Sequence, residues 1–206
     1  MSDRLPARLV LATGNAGKLR ELRSILAPWR VEVFPLSEFS ATAAEETGLT
    51  FVDNAILKAR FAAGAAQLPA IADDSGLEVD ELGGAPGVRS ARYAGEGADD
   101  AANNARLLRE LAGVPDARRG ARYRCAMAYV RRADDPSPIV CQASWEGRIA
   151  TAPRGSGGFG YDPLFIVSGT DRTAAEFDPG EKNRASHRGK ALRALVAALG
   201  GGDREP

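Results

Sequence analysis

The sequence predicts a single α/β domain built on a mixed β-sheet. Short apolar runs typical of strands alternate with longer segments of helical periodicity along the chain. No internal repeat, linker or low-complexity segment divides the 206 residues, and a hydrophobic content of 44% is enough for a sizeable core. We therefore expect one domain over residues 1–206, in which two lobes are possible.

The chain opens in a strand-loop-helix-strand pattern. Arg8–Ala12 is a short apolar strand that stops at Thr13–Asn15. Leucine and isoleucine then recur at helical spacing over residues 19–26, until Pro28 ends the helix. Residues 31–34 form the second predicted strand.

A capping box marks the second helix. Thr50 and Asp53 stand three residues apart ahead of an apolar helix face, and Asn54 and Lys58 share another face. Ala70–Asp73 is predicted as a buried strand that turns at residues 74–76 and pairs with a second strand at residues 77–79.

The remaining elements are predicted from the same signals. Gly83–Gly97 is a long glycine-rich loop of the kind that often has a function. The other predicted elements are a helix over 99–111, a hairpin of strands 123–130 and 139–145, a strand over 163–167, a helix over 186–199 and a frayed tail over 200–206.

Overall charge excludes several classes of protein. Lys plus Arg and Asp plus Glu are both 27, so no global field favours nucleic acid or an anionic membrane. A cluster of arginines at positions 118, 119, 122 and 124 is therefore more easily explained as a solvated face than as a DNA-binding surface. No apolar run reaches the length of a membrane span, and the polar start Met1–Pro6 does not resemble a secretion signal. We expect a cytoplasmic protein.

Cysteine and histidine are too few for a structural zinc site. Cys125 and Cys141 lie in apolar segments of neighbouring predicted strands, and His187 is the single histidine. In a reducing compartment the two thiols are expected to be core residues and not a disulfide. A closed zinc site usually needs four Cys or His ligands.

Thr13-Gly14-Asn15-Ala16-Gly17-Lys18 is the first candidate site. A glycine-bearing turn from a strand into a helix offers backbone N–H groups and the positive end of the helix dipole to a phosphate, and Lys18 adds a charge. The spacing is too short for a Walker A loop. An ordinary tight turn is the alternative.

Two acidic pairs are candidate metal ligands. These are Glu45-Glu46 in a loop and Asp73-Asp74 at the end of a predicted strand. Adjacent side chains on a strand diverge, so only one of the two aspartates need enter a given site. One glutamate and one aspartate together with substrate phosphates would suit Mg²⁺, whereas solvated loop acids are the alternative. Lys58 is expected either to hold phosphate or orient these carboxylates, or to be an exposed helix lysine.

A glycine-rich segment over residues 155–160 matches the letters of a dinucleotide fingerprint. That fingerprint must open a helix, and here Pro163 and a strand-like run follow. We predict a loop that presents Phe159, either to stack on a nucleobase or to fill the core.

The fourth candidate is Glu181–Arg188, where three cationic residues surround His187. If Ser186 caps the following helix, His187 and Arg188 lie in its first turn, where the helix dipole disfavours cations. An external acceptor would offset this cost, although a structural histidine is the alternative.

Together these motifs resemble the inosine triphosphate pyrophosphatase family, also called XTP/dITP pyrophosphatases. The resemblance runs from Leu9 to Leu199 and rests on seven segments: TGNAGK, EETGLTF, DNAILKA, IADDSGL, GGAPGVRSARYAG, GGFGYDP and EKNRASHRGKAL. It departs from the family only at Asp53, where we expect glutamate. The resemblance implies an elongated mixed α/β fold with two lobes around a nucleotide cleft, usually as a homodimer.

The resemblance also implies an activity and its residues. Members hydrolyse deaminated purine nucleoside triphosphates such as ITP, dITP and XTP to the monophosphate and pyrophosphate, using Mg²⁺. By position, Thr13, Gly14, Asn15, Ala16, Gly17 and Lys18 would bind the triphosphate, and Glu46 and Asp74 the metal. Asp74 would also be the general base. The further substrate contacts would be Ser75, Phe159, Gly160, Tyr161, Asp162, Lys182, His187 and Arg188.

The base specificity that we expect follows from hydrogen bonding. A 6-oxopurine presents an acceptor where adenine presents a donor, so donors such as His187 and Arg188 would favour the former. Each unpaired buried donor costs roughly 1–3 kcal/mol, which would exclude ATP but not GTP. If this role is right, Arg188→Ala should weaken ITP hydrolysis far more than it lowers the melting temperature.

Three other functions remain open on the sequence. These are a phosphohydrolase of other specificity that releases orthophosphate, a nucleotide-binding regulator without turnover, and a nucleic-acid binder. No nucleic acid or membrane partner is expected.

Overall fold

A computed structural model describes residues 5–200 and contains a mixed six-stranded sheet flanked by helices. The strands lie in the order β2-β1-β3-β4-β5-β6. They are β1 (Arg8–Leu11), β2 (Glu32–Pro35), β3 (Ala70–Val79), β4 (Gly120–Val130), β5 (Ile139–Ile149) and β6 (Phe165–Val167). The helices are α1 (Ala16–Leu26), α2 (Phe51–Ala66), α3 (Asp100–Glu110), α4 (Pro179–Ala185) and α5 (His187–Ala198).

Strand pairing confirms the mixed α/β sheet. β1 is parallel to both β2 and β3, whereas β5 and β6 are antiparallel. Parallel strands need a crossover, and here α1 connects β1 to β2 while α2 precedes β3.

The chain divides into two compact units. The first comprises the residues up to Asp74, Cys125–Ala143 and the residues from Arg188 onward. The second comprises Ser75–Arg124 and Ser144–His187. β3, β4 and β5 each contribute residues to both units.

The first unit buries both faces of its strands. Leu9 and Leu11 of β1 pack in one cluster with apolar residues of α1 and α5, whereas Val10 packs in a second cluster with alanines of α2. β3 divides in the same way, with Ile71 in the first cluster and Ala70 and Ala72 in the second. Alternation along each strand therefore assigns α1 and α5 to one face and α2 to the other.

The second unit has its own apolar core. Leu77 from the later part of β3 packs with Leu107 of α3, Tyr123 of β4, Trp145 of β5 and Phe165 of β6. Tyr123 and Phe165 are in ring contact at 4.6 Å between centroids.

Most predicted elements are confirmed within a few residues, including the capping box at Thr50 and Asp53. The turn predicted at residues 74–76, with pairing of the strands on either side of it, is wrong, because β3 runs without interruption through these residues. The strand predicted over 163–167 is shorter, and α4 was not predicted. The predicted tail beyond Gly200 and the chain start before Leu5 lie outside the described residues.

Cys125 and Cys141 are free thiols, as expected. Burial raises the pKa of Cys125 to about 12. Within residues 5–200, none of the helices combines the length and apolar character needed to cross a bilayer.

Candidate functional site

The pair Asp73-Asp74 lies on β3 just beyond the carboxyl end of β1. The register of these parallel strands pairs Leu11 with Ile71, and Ala12 N–H donates to the Ile71 carbonyl at 2.9 Å. β1 then ends and the Thr13–Lys18 segment departs, while β3 continues through the two aspartates. This is the edge of a parallel sheet at which ligands are commonly bound.

Asp73 points to the sheet face covered by α1 and α5. Its Oδ2 accepts ion pairs from Lys18 Nζ at 3.0 Å and Arg188 Nε at 3.2 Å, and its side chain is fully buried. Burial alone would raise the pKa of Asp73, but Lys18 and Arg188 outweigh it and hold that pKa well below its usual value. Asp73 therefore remains ionised as the shared partner of two cations.

Asp74 points to the opposite face, which α2 covers. Lys58 Nζ lies 2.7 Å from Asp74 Oδ1 and 3.0 Å from Glu46 Oε1, so one ammonium brings two carboxylates together. Asn54 Nδ2 donates to Asp74 Oδ2 at 3.2 Å. The predicted shared face of Asn54 and Lys58 is confirmed, and both residues face Asp74.

The electrostatics of Asp74 differ from those of Asp73. Burial raises the pKa of Asp74, and Lys58 only partly opposes this effect. For Lys58 itself, burial is outweighed by Asp74 and the other carboxylates nearby, so its pKa is raised. Asp74 is thus the better proton acceptor of the two aspartates, because its basicity is higher.

A close backbone approach fixes Asn54. Gly48 N–H donates to Asn54 Oδ1 at 2.8 Å. A Cβ at position 48 would lie only 2.6 Å from the same oxygen, so glycine is required there. The segment that precedes α2 therefore orients the amide that holds Asp74.

The Thr13–Lys18 segment forms the turn into α1 that the sequence predicted. Asn15 is the N-cap, and its side chain accepts a hydrogen bond from Lys18 N–H at 3.0 Å. Asn15 N–H donates to Thr13 Oγ1 at 3.2 Å. A Cβ on Gly14 would meet no atom within 4 Å, so this turn stands in open space at the start of a helix.

In the second unit, Asp162 is the centre of another cluster. It accepts from Lys182 Nζ at 2.7 Å, from Phe159 N–H at 2.8 Å and from the Tyr123 hydroxyl at 3.2 Å. Lys182 Nζ also lies 4.7 Å from the centre of the Phe159 ring. We call Tyr123, Phe159, Asp162, Lys182 and His187 the Asp162 cluster.

His187 completes this cluster by stacking on Tyr123, with 4.7 Å between ring centroids and 8° between ring planes. It is buried and begins α5, directly after Ser186. His187 and Arg188 occupy the first turn of that helix, as the sequence predicted.

Gly160, Tyr161 and Ser75 complete the predicted substrate contacts, and the hydrogen bonds of the first two go to residues outside the predicted site. Gly160 N–H donates to Asp100 Oδ2 at 2.6 Å, and the buried Tyr161 hydroxyl donates to the Ser90 carbonyl at 2.8 Å. Ser75 is half-buried on β3 beside Asp74. The 155–160 segment opens no helix, as expected.

The glycine-rich loop over 83–97 lines a cavity of about 710 Å³ in the second unit. The Tyr93 hydroxyl donates to Glu110, and the Arg106 guanidinium lies 4.3 Å from the centre of the Tyr93 ring. These contacts tie the loop to α3. None of the residues predicted as site residues lines this cavity.

Several site contacts were not predicted from the sequence. Glu21 pairs with Arg188 Nη1 at 2.5 Å, and Tyr123 contacts both His187 and Asp162. Glu21 lies three residues after Lys18, and this spacing on a helix is the signal that suggests a shared face. No sequence signal singles out Tyr123.

The fold and the buried ion pairs define an α/β protein with a candidate phosphate-binding and cation-binding site at the carboxyl end of β1. The model of the Ham1 family matches residues 9–198, and the chain belongs to that family.

Relatives cover nearly the whole chain. A protein named dITP/XTP pyrophosphatase from Thioalkalivibrio sulfidiphilus is 58% identical over 194 residues, which cover 94% of this chain and 99% of that protein. The solved structure of a HAM1 protein from Coxiella burnetii matches with a TM-score of 0.86 and 49% identity, covering 94% and 98% of the two chains. The Staphylococcus aureus Ham1 protein matches with a TM-score of 0.82 and 39% identity, covering 95% and 100%.

Proposed function

We propose that this protein hydrolyses ITP, dITP and XTP to the nucleoside monophosphate and pyrophosphate, and so removes deaminated purines from the nucleotide pool. The relative with 58% identity is named a dITP/XTP pyrophosphatase. The observation that carries the proposal is that Glu46 and Asp74 both contact the Lys58 ammonium. Asp74 lies on β3, and the same strand presents Asp73 to Lys18. A site of this kind combines acceptors for a cation with donors for phosphate.

Mg²⁺ is the proposed cofactor, held by Glu46 and Asp74. These two carboxylates already share one cation, the Lys58 ammonium, so their oxygens are close enough to share a metal ion. Within residues 5–200 no set of three or more His, Cys, Asp or Glu side chains is arranged as a metal site. Two carboxylates still fit, because Mg²⁺ commonly takes its other ligands from water and substrate phosphates. Bound there, the metal would neutralise charge on the triphosphate.

Asp74 is proposed to be the general base. Its carboxylate accepts the proton of the water molecule that attacks the α-phosphorus, and pyrophosphate leaves. Lys58 and Asn54 each hold one of its two oxygens, so the carboxylate has a fixed orientation.

Lys18 and the turn before it are proposed to hold the phosphates. Lys18 approaches Asp73 in the structure and would exchange that partner for a phosphate oxygen. The turn over residues 13–17 adds the N-terminus of α1, where an anion is stabilised by the helix dipole.

Base recognition is assigned to side chains of the Asp162 cluster and to Arg188. Phe159 offers a ring for stacking, and Lys182 and His187 offer donors to a 6-oxopurine. A role for Ser75, Gly160 and Tyr161 in substrate binding belongs to the same proposal. Cytoplasmic location and assembly as a homodimer are also part of it. The zero net charge favours a small-molecule substrate over nucleic acid.

Product analysis tests this function. The purified protein is supplied with ITP, dITP, XTP, GTP or ATP, with Mg²⁺ or with a chelator, and both pyrophosphate and orthophosphate are measured. We expect pyrophosphate from the first three nucleotides, much less from ATP, and none when the metal is removed. Orthophosphate without pyrophosphate would favour a phosphohydrolase of other specificity. Nucleotide binding without either product would favour a regulator.

A further inference from the structure

Four charged residues of the first unit form a chain of alternating sign. Lys18 Nζ lies 3.0 Å from Asp73 Oδ2, Arg188 Nε lies 3.2 Å from the same oxygen, and Arg188 Nη1 lies 2.5 Å from Glu21 Oε2. We call Lys18, Asp73, Arg188 and Glu21 the ion-pair chain. It links α1, β3 and the start of α5.

Helix geometry explains why α1 supplies both ends of the ion-pair chain. Lys18 and Glu21 are three residues apart and therefore lie on one face of the helix. Lys18 reaches the acid on β3, whereas Glu21 reaches the arginine on α5. The helix thus supplies a cation to Asp73 and an anion to Arg188, the buried ion pair that it covers.

Burial makes Glu21 more important than an ordinary surface acid. The side chain of Arg188 is 3% exposed and that of Glu21 is 15% exposed. A buried guanidinium is tolerated only when carboxylates compensate its charge, and Asp73 already shares its oxygen with Lys18. Burial would lower the pKa of Arg188, but Asp73 and Glu21 outweigh this effect and raise it.

We propose that Glu21 is a positioning residue for substrate binding, which holds Arg188 against Asp73. This inference rests on the proposed function, in which Lys18 leaves Asp73 for a phosphate oxygen. Glu21 then keeps Arg188 in place, and Arg188 keeps the Asp73 carboxylate from following the lysine. Glu21 itself need not contact the substrate.

Steady-state kinetics with ITP test the proposal. Glu21→Gln removes the charge and keeps the shape, so the KM for ITP should rise about tenfold, the effect of losing a charge-assisted hydrogen bond, while kcat changes little. Glu21→Asp keeps the charge and should give a KM nearer to that of the wild type. Glu32→Gln is the matched control, because Glu32 pairs with Arg8 on the exposed surface of the same unit, and it should change neither constant.

A double-mutant cycle separates positioning from general stability. In an Arg188→Lys background the guanidinium fork is absent, so Glu21→Gln should raise KM much less than it does in the wild type. An unchanged KM in Glu21→Gln, or an equal effect in both backgrounds, would overturn the proposal.

The two proposals fail in different ways. A wild-type protein that releases no pyrophosphate from ITP refutes the proposed function. Calorimetric titration with ITP then still tests Glu21, since weaker binding by Glu21→Gln supports its positioning role. Equal binding by the variant and the wild type contradicts it.

Discussion

Asp73 and Asp74 are neighbours in the chain, yet each holds its own set of cations. The alternation of side chains along β3 directs Asp73 to Lys18 of α1 and Arg188 of α5, and Asp74 to Lys58 of α2. The alternation of side chains predicts from the sequence that the two carboxylates diverge. The full burial of Asp73 is not predictable in this way, because burial depends on helices that are distant in the chain.

Asp74→Asn should abolish most of the turnover and preserve the fold. The amide cannot accept the proton of the attacking water, so kcat should fall by about 100-fold to 10,000-fold. Lys58 keeps Glu46 as a partner, which limits the loss of stability. Pyrophosphate release and thermal melting measure the two effects. Asp134→Asn is the control, since Asp134 is exposed and pairs only weakly with Arg132.

A regulator without turnover would give a different result for the same variant. There would be no hydrolysis to lose, and Asp74→Asn would match the wild type in every assay except nucleotide binding.

Arg188→Ala should now lower both stability and activity. The sequence alone suggested a donor to the base, whose loss would spare the melting temperature. In the structure Arg188 also has two carboxylate partners in a buried setting, and removal of one member of a buried ion pair typically costs about 3–5 kcal/mol. Chemical denaturation measures this loss, with Arg8→Ala at the exposed Glu32 pair as the control, expected within about 0.5 kcal/mol of the wild type. A free energy of unfolding unchanged by Arg188→Ala would contradict the importance of these pairs.

At the scale of elements, segments with apolar periodicity are predicted well, whereas Asp74–Gly76 and α4 are not. Apolar periodicity located α1, α2, α3, β4 and β5 within a few residues. The segment Asp74–Gly76 resembles a turn in sequence, and β3 continues through it because its carboxylates are satisfied by ion pairs from the covering helices. α4 has no apolar stripe, and its only signals were Pro179 and the capping box of Asp178 with Glu181.

The turn at Gly158 supports the Asp162 cluster, so a side chain at position 158 should disturb that cluster. Gly158 has φ +73°, and a Cβ there would overlap Asp162 Oδ2, the atom that holds Lys182 and Phe159 N–H. Gly158→Ala should therefore cost stability and also raise the KM for ITP.

Gly169→Ala is the matched control for that variant. Gly169 has φ +78° in the same unit, and a Cβ there meets nothing within 4 Å. It should cost about 1–2 kcal/mol from the left-handed backbone alone and leave KM unchanged. Equal KM values for the two variants would show that Asp162 has no part in substrate binding.

At the scale of the whole molecule, each compact unit contains its own cluster of candidate site residues. The first holds Glu46, Asp73 and Asp74 with Lys18 and Lys58, and the second holds the Asp162 cluster. The sequence and its family resemblance predict two lobes, but not which residues belong to each unit, since both units are assembled from separate chain segments and three strands contribute to both. The sequence motifs nevertheless include residues of both clusters, because each motif requires particular side chains at fixed positions.

The most direct test of the account is hydrolysis of ITP in water enriched in the heavy oxygen isotope. If Asp74 activates water for attack on the α-phosphorus, one labelled oxygen enters inosine monophosphate and none enters pyrophosphate. Mass spectrometry of inosine monophosphate and pyrophosphate shows which of the two products carries the label. Label in pyrophosphate, or release of labelled orthophosphate, would contradict the mechanism proposed for this site.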